Sequence, residues 1–203
     1  MGYQIKYYKD AIYLGELNKN GKREGIGLDI DYKGFVIYEG FWKNGLPEGN
    51  GVEYRENGSY SYQGEWVRGE KKGQGKEFMV SGDLRYEGSF EAGVYSGFGV
   101  LYSFFGRGKG IIEYEGWWKK GVREGSGKEY YGFGEERGKL VSVLGRFVEG
   151  GHENGVMVGE NGKVVVVMER RRSGREKDEG FRIKYGEDGS ICEYVVESVD
   201  KVI

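Results

Sequence analysis

The sequence has no threonine, one proline (Pro47), one cysteine (Cys192) and one histidine (His152) among its 203 residues. A lone cysteine excludes an internal disulfide, and Cys192 with His152 supplies two of the four ligands a structural zinc site needs. A single proline excludes collagen and proline-rich linkers. The longest aliphatic run, Val164 to Met168, is far short of the roughly 20 residues of a spanning helix. Lysine plus arginine (31) nearly balances aspartate plus glutamate (33), a net charge of -2, so the broad basic surface that draws phosphate backbones is missing. The opening stretch MGYQIKYYKD has no apolar core of a secretory signal. These absences predict a cytoplasmic chain, not secreted, without metal, cofactor, nucleic acid or small-molecule substrate. What is abundant is glycine, 40 residues, and tyrosine, 17, within an aromatic content of 15%.

The glycines are phased. Gly15, Gly40, Gly64, Gly88, Gly116 and Gly145 each follow Tyr13, Tyr38, Tyr62, Tyr86, Tyr114 or Val143 by two residues, and precede Leu17, Trp42, Trp66, Phe90, Trp118 or Phe147 by two. A second pair recurs at Gly25/Gly27, Gly49/Gly51, Gly73/Gly75, Gly97/Gly99 and Gly125/Gly127, followed by Ile30, Tyr54, Phe78, Tyr102 or Tyr130. The spacing defines three regions: a half repeat or cap over 1–12, five regular units over 13–142, and degenerate repeats with a C-terminal β cap over 143–203. Gly2 and Ile5 fit the half repeat, Met157 stands where the sixth unit's paired glycine belongs, and a seventh unit keeps Gly180, Tyr185 and Gly189.

Within each opening segment the aromatic, the glycine and the second aromatic sit at i, i+2 and i+4, on one face of a strand. Tyr38, Gly40 and Trp42 then face one way, with Glu39, Phe41 and Lys43 opposite. Val52 and Tyr54 share a face of the second strand, and the glycine-bracketed NGLPEGN forms the turn between. The predicted fold class is all-β: an elongated, twisted single-sheet solenoid of consecutive antiparallel hairpins. Ring stacking along its concave side would be both core and interaction groove.

No catalytic constellation accompanies this pattern. GSGK in GVREGSGKEY lacks the upstream glycine and following hydroxyl of a phosphate loop, and Glu129 follows Lys128. His152, in GGHENG, reads as a solvated turn residue. Glu24, Glu48 and Glu124 recur in register at a turn, which marks a structural or surface role. The run RRRSGREK (170–177) reads first as a solvated hairpin tip, with anionic lipid contact or phosphorylation of Ser173 as alternatives. Lys119, Lys120 and Arg123 have the same status.

The pattern YxGxWxxGxxxGxGxxxY resembles the MORN (membrane occupation and recognition nexus) repeat over about 13 to 155. The resemblance implies a non-enzymatic scaffold mediating protein-protein interaction or assembly, associated with membranes, cytoskeleton or virions. The alternatives are a peripheral module binding anionic phospholipids, and a regulatory subunit of a separate enzyme. Candidate contacts in the groove or at the edges are Tyr38, Trp42, Tyr54, Tyr62, Trp66, Phe78, Tyr86, Phe90, Tyr102, Tyr114, Trp118, Tyr130, Tyr185 and Tyr194. Candidate lipid or anion contacts are Lys119, Lys120, Arg123, Arg170, Arg171 and Arg172. The expected partners are proteins, including a second copy through terminal repeats, and, weakly, an anionic membrane.

Overall fold

The computed structural model describes residues 2–103, 110–131, 141–158, 164–169, 178–185 and 191–199. All its regular structure is β. The strands are β1 (Gln4–Tyr7), β2 (Ile12–Leu17), β3 (Arg23–Ile30), β4 (Val36–Lys43), β5 (Leu46–Tyr54), β6 (Tyr60–Val67), β7 (Glu70–Phe78) and β8 (Leu84–Glu91). They continue as β9 (Val94–Ser103), β10 (Ile111–Lys119), β11 (Val122–Tyr131), β12 (Val141–Val148), β13 (Gly151–Val158), β14 (Val164–Glu169), β15 (Asp178–Tyr185) and β16 (Ile191–Val199). Strands β1 to β14 form one antiparallel sheet of 14 strands in strict chain order. Among the described residues, each hairpin of this sheet pairs with the hairpins beside it, as the five-fold register predicts.

The turns differ from the expectation. The reversal after β4 is the two-residue Asn44-Gly45, with φ of 52° and 92°, and Leu46 to Tyr54 is already strand. Arg68-Gly69, Ala92-Gly93, Lys120-Gly121 and Glu149-Gly150 repeat the geometry. Two central residues at positive φ match the right-handed twist of the flanking strands, the mirror-image turn that short hairpins favour. The first glycine of each pair therefore lies within a strand. Gly49 takes φ of 74° where three residues of β5 oppose Phe41, a bulge that swings the chain so that the Phe41 side chain lies over it.

Register corrects the two ends. Gly145 pairs with Gly155 as Gly40 pairs with Gly51, so Glu153, not Met157, occupies the lost glycine position of the sixth unit. In β1, Gln4 pairs with Gly15 and holds the second-glycine position, with Gly2 at the first and Tyr7, not Ile5, at the aromatic one. His152 belongs to β13, paired with Phe147, because the turn closes earlier at Glu149-Gly150. The seventh unit departs from a single sheet: β15 and β16 form their own two-stranded sheet. That hairpin has lost the spaced glycine pair on which ring stacking depends.

Candidate interaction surface

One face of the sheet is an unbroken row of rings. Tyr13, Trp42, Tyr38, Trp66, Tyr62, Phe90, Tyr86, Trp118, Tyr114 and Phe147 follow one another edge to face, centroids 4.9 to 5.6 Å apart and planes at 79° to 89°. This is the offset geometry that ring quadrupoles favour. Each tyrosine ring lies flat on the two facing glycines of its hairpin, and a Cβ at either would collide with it. The hydroxyls reach past the glycines to donate to main-chain carbonyls: Tyr13 to Glu16 (3.0 Å), Tyr38 to Phe41 (3.2 Å), Tyr62 to Glu65 (3.1 Å), Tyr86 to Ser89 (3.1 Å) and Tyr114 to Trp117 (3.0 Å). Trp42, Trp66 and Trp118 donate Nε1–H to the carbonyls of Gly27, Gly51 and Gly99.

Over these rings lies a second layer. The Arg23 guanidinium stands 4.9 Å from the Trp42 ring and 4.0 Å from that of Tyr8, held by paired bonds of 2.8 Å to the buried Asp29 carboxylate. Lys71 covers Tyr62 at 4.8 Å and pairs with Glu53, while Tyr95 stacks on Tyr86 at 3.7 Å and donates to Glu77. Arg123 covers Tyr114 at 4.9 Å between Glu113 and Glu129. Cations over ring faces are attracted by the ring quadrupole and shield it from water. Burial pushes the hydroxyls of Tyr13 and Tyr114 up to about 12, and raises those of Tyr38, Tyr62, Tyr86 and Tyr95 as well. The Asp29 carboxyl is also raised by burial, against the pull of Arg23.

Tyr38, Trp42, Tyr62, Trp66, Tyr86, Phe90, Tyr114 and Trp118 are therefore no groove contacts. At 0% to 7% exposure they are the core, and a partner cannot reach their faces without opening the array. Core and groove were expected on one side of the sheet because both call for aromatics; the glycine beds instead fold the rings down against the backbone. Tyr54, Phe78, Tyr102 and Tyr130 are half-buried. Tyr54 donates to Glu39 at 2.7 Å and Tyr130 to Glu115, on the face away from the row of rings. Tyr185 lies in β15 and Tyr194 in β16, where their side chains are outside the described residues, as are Arg170, Arg171, Arg172 and Ser173. Lys119 and Lys120 are exposed at a hairpin tip, but Arg123 is sequestered over Tyr114.

The recurrent glutamates have a defined task. Glu24, Glu48 and Glu124 lie in strands, not turns, and each Oε2 accepts the backbone N–H of the left-handed residue in the next hairpin tip: Asn44, Arg68 and Glu149. The following glycine N–H donates to the residue before the glutamate, as Gly45 to Arg23 and Gly69 to Pro47. Each tip is thus stapled to its predecessor.

The groove lies on the opposite face. It has a volume of about 1090 Å³ and runs from Tyr3 past Leu14, Ile26 and Leu28 to Glu39, Asn50, Val52, Gln63, Gln74, Lys76 and Glu87, over a floor of glycine backbone. Leu14 is 36% exposed, Ile26 51% and Phe41 48%, and farther along the same face Trp117 (53%) meets Phe98 edge-on at 6.3 Å. These residues occupy the positions between the ladder residues. Their alternation with the tyrosines marked the face, but only the flattened rings leave it as the open one. Among the described residues no group of acidic, histidine and cysteine side chains could hold a metal ion, and no helix is long and apolar enough to cross a membrane.

No curated protein matches the chain. The family described as "MORN repeat" matches residues 38–60, 62–84, 86–103 and 114–132, that is, the hairpins β4–β5, β6–β7, β8–β9 and β10–β11 that carry every ring of the row but Tyr13 and Phe147. With matched repeats and hairpins in the same register, residues 38–132 of the chain are an array of MORN repeats.

Proposed function

We propose that this protein is a non-enzymatic scaffold that engages a protein partner through the groove opposite its aromatic ladder. The observation that carries the reading is the segregation of the two faces. One is satisfied internally, ring against ring and hydroxyl against carbonyl, while the other keeps a groove of about 1090 Å³ with Leu14 and Ile26 open to solvent and the exposed Phe41 beside it, paired with Ile26. Exposed apolar side chains in a groove rimmed by polar groups are the usual anchors of an interface. The same reading puts the scaffold in the cytoplasm within a larger assembly, and it accommodates a regulatory subunit of a separate enzyme. Adhesion to anionic lipid is less favoured, because sequestered Arg123 leaves Lys119 and Lys120 as the exposed pair at that tip.

A photo-crosslinking residue at Phe41, introduced in the native source, tests this directly. The expected result is one recurrent protein adduct that disappears with Ile26→Ser. Flotation on anionic vesicles that is lost with Lys119→Gln and Lys120→Gln, without any such adduct, would move the function to lipid binding.

A further inference from the structure

The groove is not uniform along its length. Its first end, over β1 to β3, is apolar: Tyr3, Leu14, Ile26 and Leu28 line it, and Ile5, paired with Leu14, extends it at 62% exposure. The stretch over β4 to β8 is polar apart from Val52, lined by the amides of Asn50, Gln63 and Gln74 and the carboxylates of Glu39 and Glu87, with Glu65 at its edge, paired with Asn50 and bonded to Gln74. The one cation lining it, Lys76, is already paired with Glu87 at 3.0 Å. Glu39 accepts from Tyr54 through Oε1, and Glu65 accepts the Gln74 backbone N–H through Oε1 at 2.9 Å. Among the described residues no cation pairs with either. Two anchored carboxylates without counter-charge therefore stand beside an open apolar end.

Resting on the scaffold reading, we propose that the groove's occupant is a bipartite segment of a partner protein, with apolar side chains over Leu14, Ile26 and Leu28 and lysine or arginine side chains over Glu39 and Glu65. A carboxylate whose Oε1 is pinned by a neighbour presents its Oε2 in a fixed direction, which suits a charge-assisted bond to an incoming cation. The apolar end holds the segment by burial, which salt does not screen, and the carboxylates set its direction and select its charge. From β1 to β8 the groove crosses seven strand spacings, about 34 Å at about 4.8 Å each. An extended segment of about ten residues covers that distance.

The probe is a fluorescein-labelled peptide of about ten residues, leucine-rich in one half and alternating lysine with glycine in the other. Three controls accompany it: glutamate for lysine, serine for leucine, and the two halves joined in reverse order. Fluorescence polarisation with the full chain should show saturable binding of the lysine peptide, weakened about tenfold between about 0.01 and 1 M salt, as the screening length falls from about 30 to about 3 Å. The glutamate and serine peptides should bind at least about tenfold more weakly, since each loses one half of the recognition. Glu39→Gln with Glu65→Gln should abolish the preference for lysine over glutamate while leaving the melting temperature unchanged, because the amide oxygen keeps the bonds from Tyr54 and Gln74. Ile26→Ser should weaken both peptides alike. Equal binding of the lysine and glutamate peptides, or indifference to the glutamine variants, overturns the proposal. So does a dimer in sedimentation velocity that Ile26→Ser dissociates, since a second copy would then fill the groove. If the Phe41 crosslinker still captures a partner when the lysine peptide fails, the scaffold function stands and the bipartite segment does not.

Discussion

The ring of Tyr62 lies between Gly64 and Gly75, with its hydroxyl on the Glu65 carbonyl. A Cβ built at Gly64 would stand 2.6 Å from the Gln74 carbonyl oxygen and 2.6 Å from the Gly75 Cα, both backbone atoms that cannot swing aside. Gly64→Ala should therefore lower stability by about 1 to 3 kcal/mol, as overpacking does, and lower the melting temperature in thermal unfolding. Glu65→Gln is the matched control and should leave it unchanged, because the side chain still accepts from Gln74. The ladder hydroxyls make a second prediction at this scale. Tyr13 and Tyr114 rise from 10.0 to about 12, chiefly by burial, so the fold prefers the protonated phenol. The stabilisation linked to that preference is complete below pH 10 and is lost as pH rises through about 12. Tyrosinate absorbance followed with far-ultraviolet dichroism should show the ladder tyrosines ionising only as the sheet unfolds. Complete tyrosine ionisation near pH 10 with an intact sheet would contradict the flat burial of these rings.

Among the elements, the hairpin tips carry both strain and staple. Arg68 is exposed and holds φ of 52°, a conformation that costs an ordinary residue about 1 to 2 kcal/mol and that asparagine tolerates. The preceding hairpin already has Asn44-Gly45 in this turn. Arg68→Asn should raise stability by about 0.5 kcal/mol, seen as a higher melting temperature, since only the backbone N–H of this residue is used by Glu48. Glu48→Ala should cost about 0.5 to 1.5 kcal/mol, the net value of one hydrogen bond, whereas Glu48→Gln keeps an acceptor and should cost less.

For the whole molecule, the sequential sheet means that, among the described residues, each hairpin of the 14-stranded sheet is hydrogen-bonded to the hairpins beside it. Stability is then a sum of unit and interface contributions, and the ends open first. Hydrogen exchange should find β1 and the separate β15–β16 hairpin least protected, and β4 to β9, inside the continuous ladder, most protected. Replacing Phe90 by alanine removes a ring that bridges Tyr62 and Tyr86, and should cost about 3 to 5 kcal/mol and divide the unfolding into two transitions. Uniform exchange along the array, with a single transition in the Phe90→Ala variant, would mean that coupling extends beyond nearest neighbours.

The residue pattern by itself determined the β class, the hairpin unit, its order and the face that holds Tyr38, Gly40 and Trp42, because strand periodicity and glycine spacing are local properties of the chain. That Glu24, Glu48 and Glu124 recur in register, in a structural or surface role, was also legible, but not the backbone N–H groups they accept from, which belong to the next hairpin tip 20 to 25 positions away. Tertiary structure alone decided which face is open. A tyrosine at i with glycine at i+2 could point its ring outward toward a partner or lay it down on its own backbone, and the pattern is the same for both. The choice falls to the second glycine across the hairpin, to the edge-on ring from the following unit, and to the covering side chains Arg23, Lys71, Tyr95 and Arg123. Together they bury the ring more favourably than water solvates it, and Leu14, Ile26 and Phe41 on the opposite face are left without a cover.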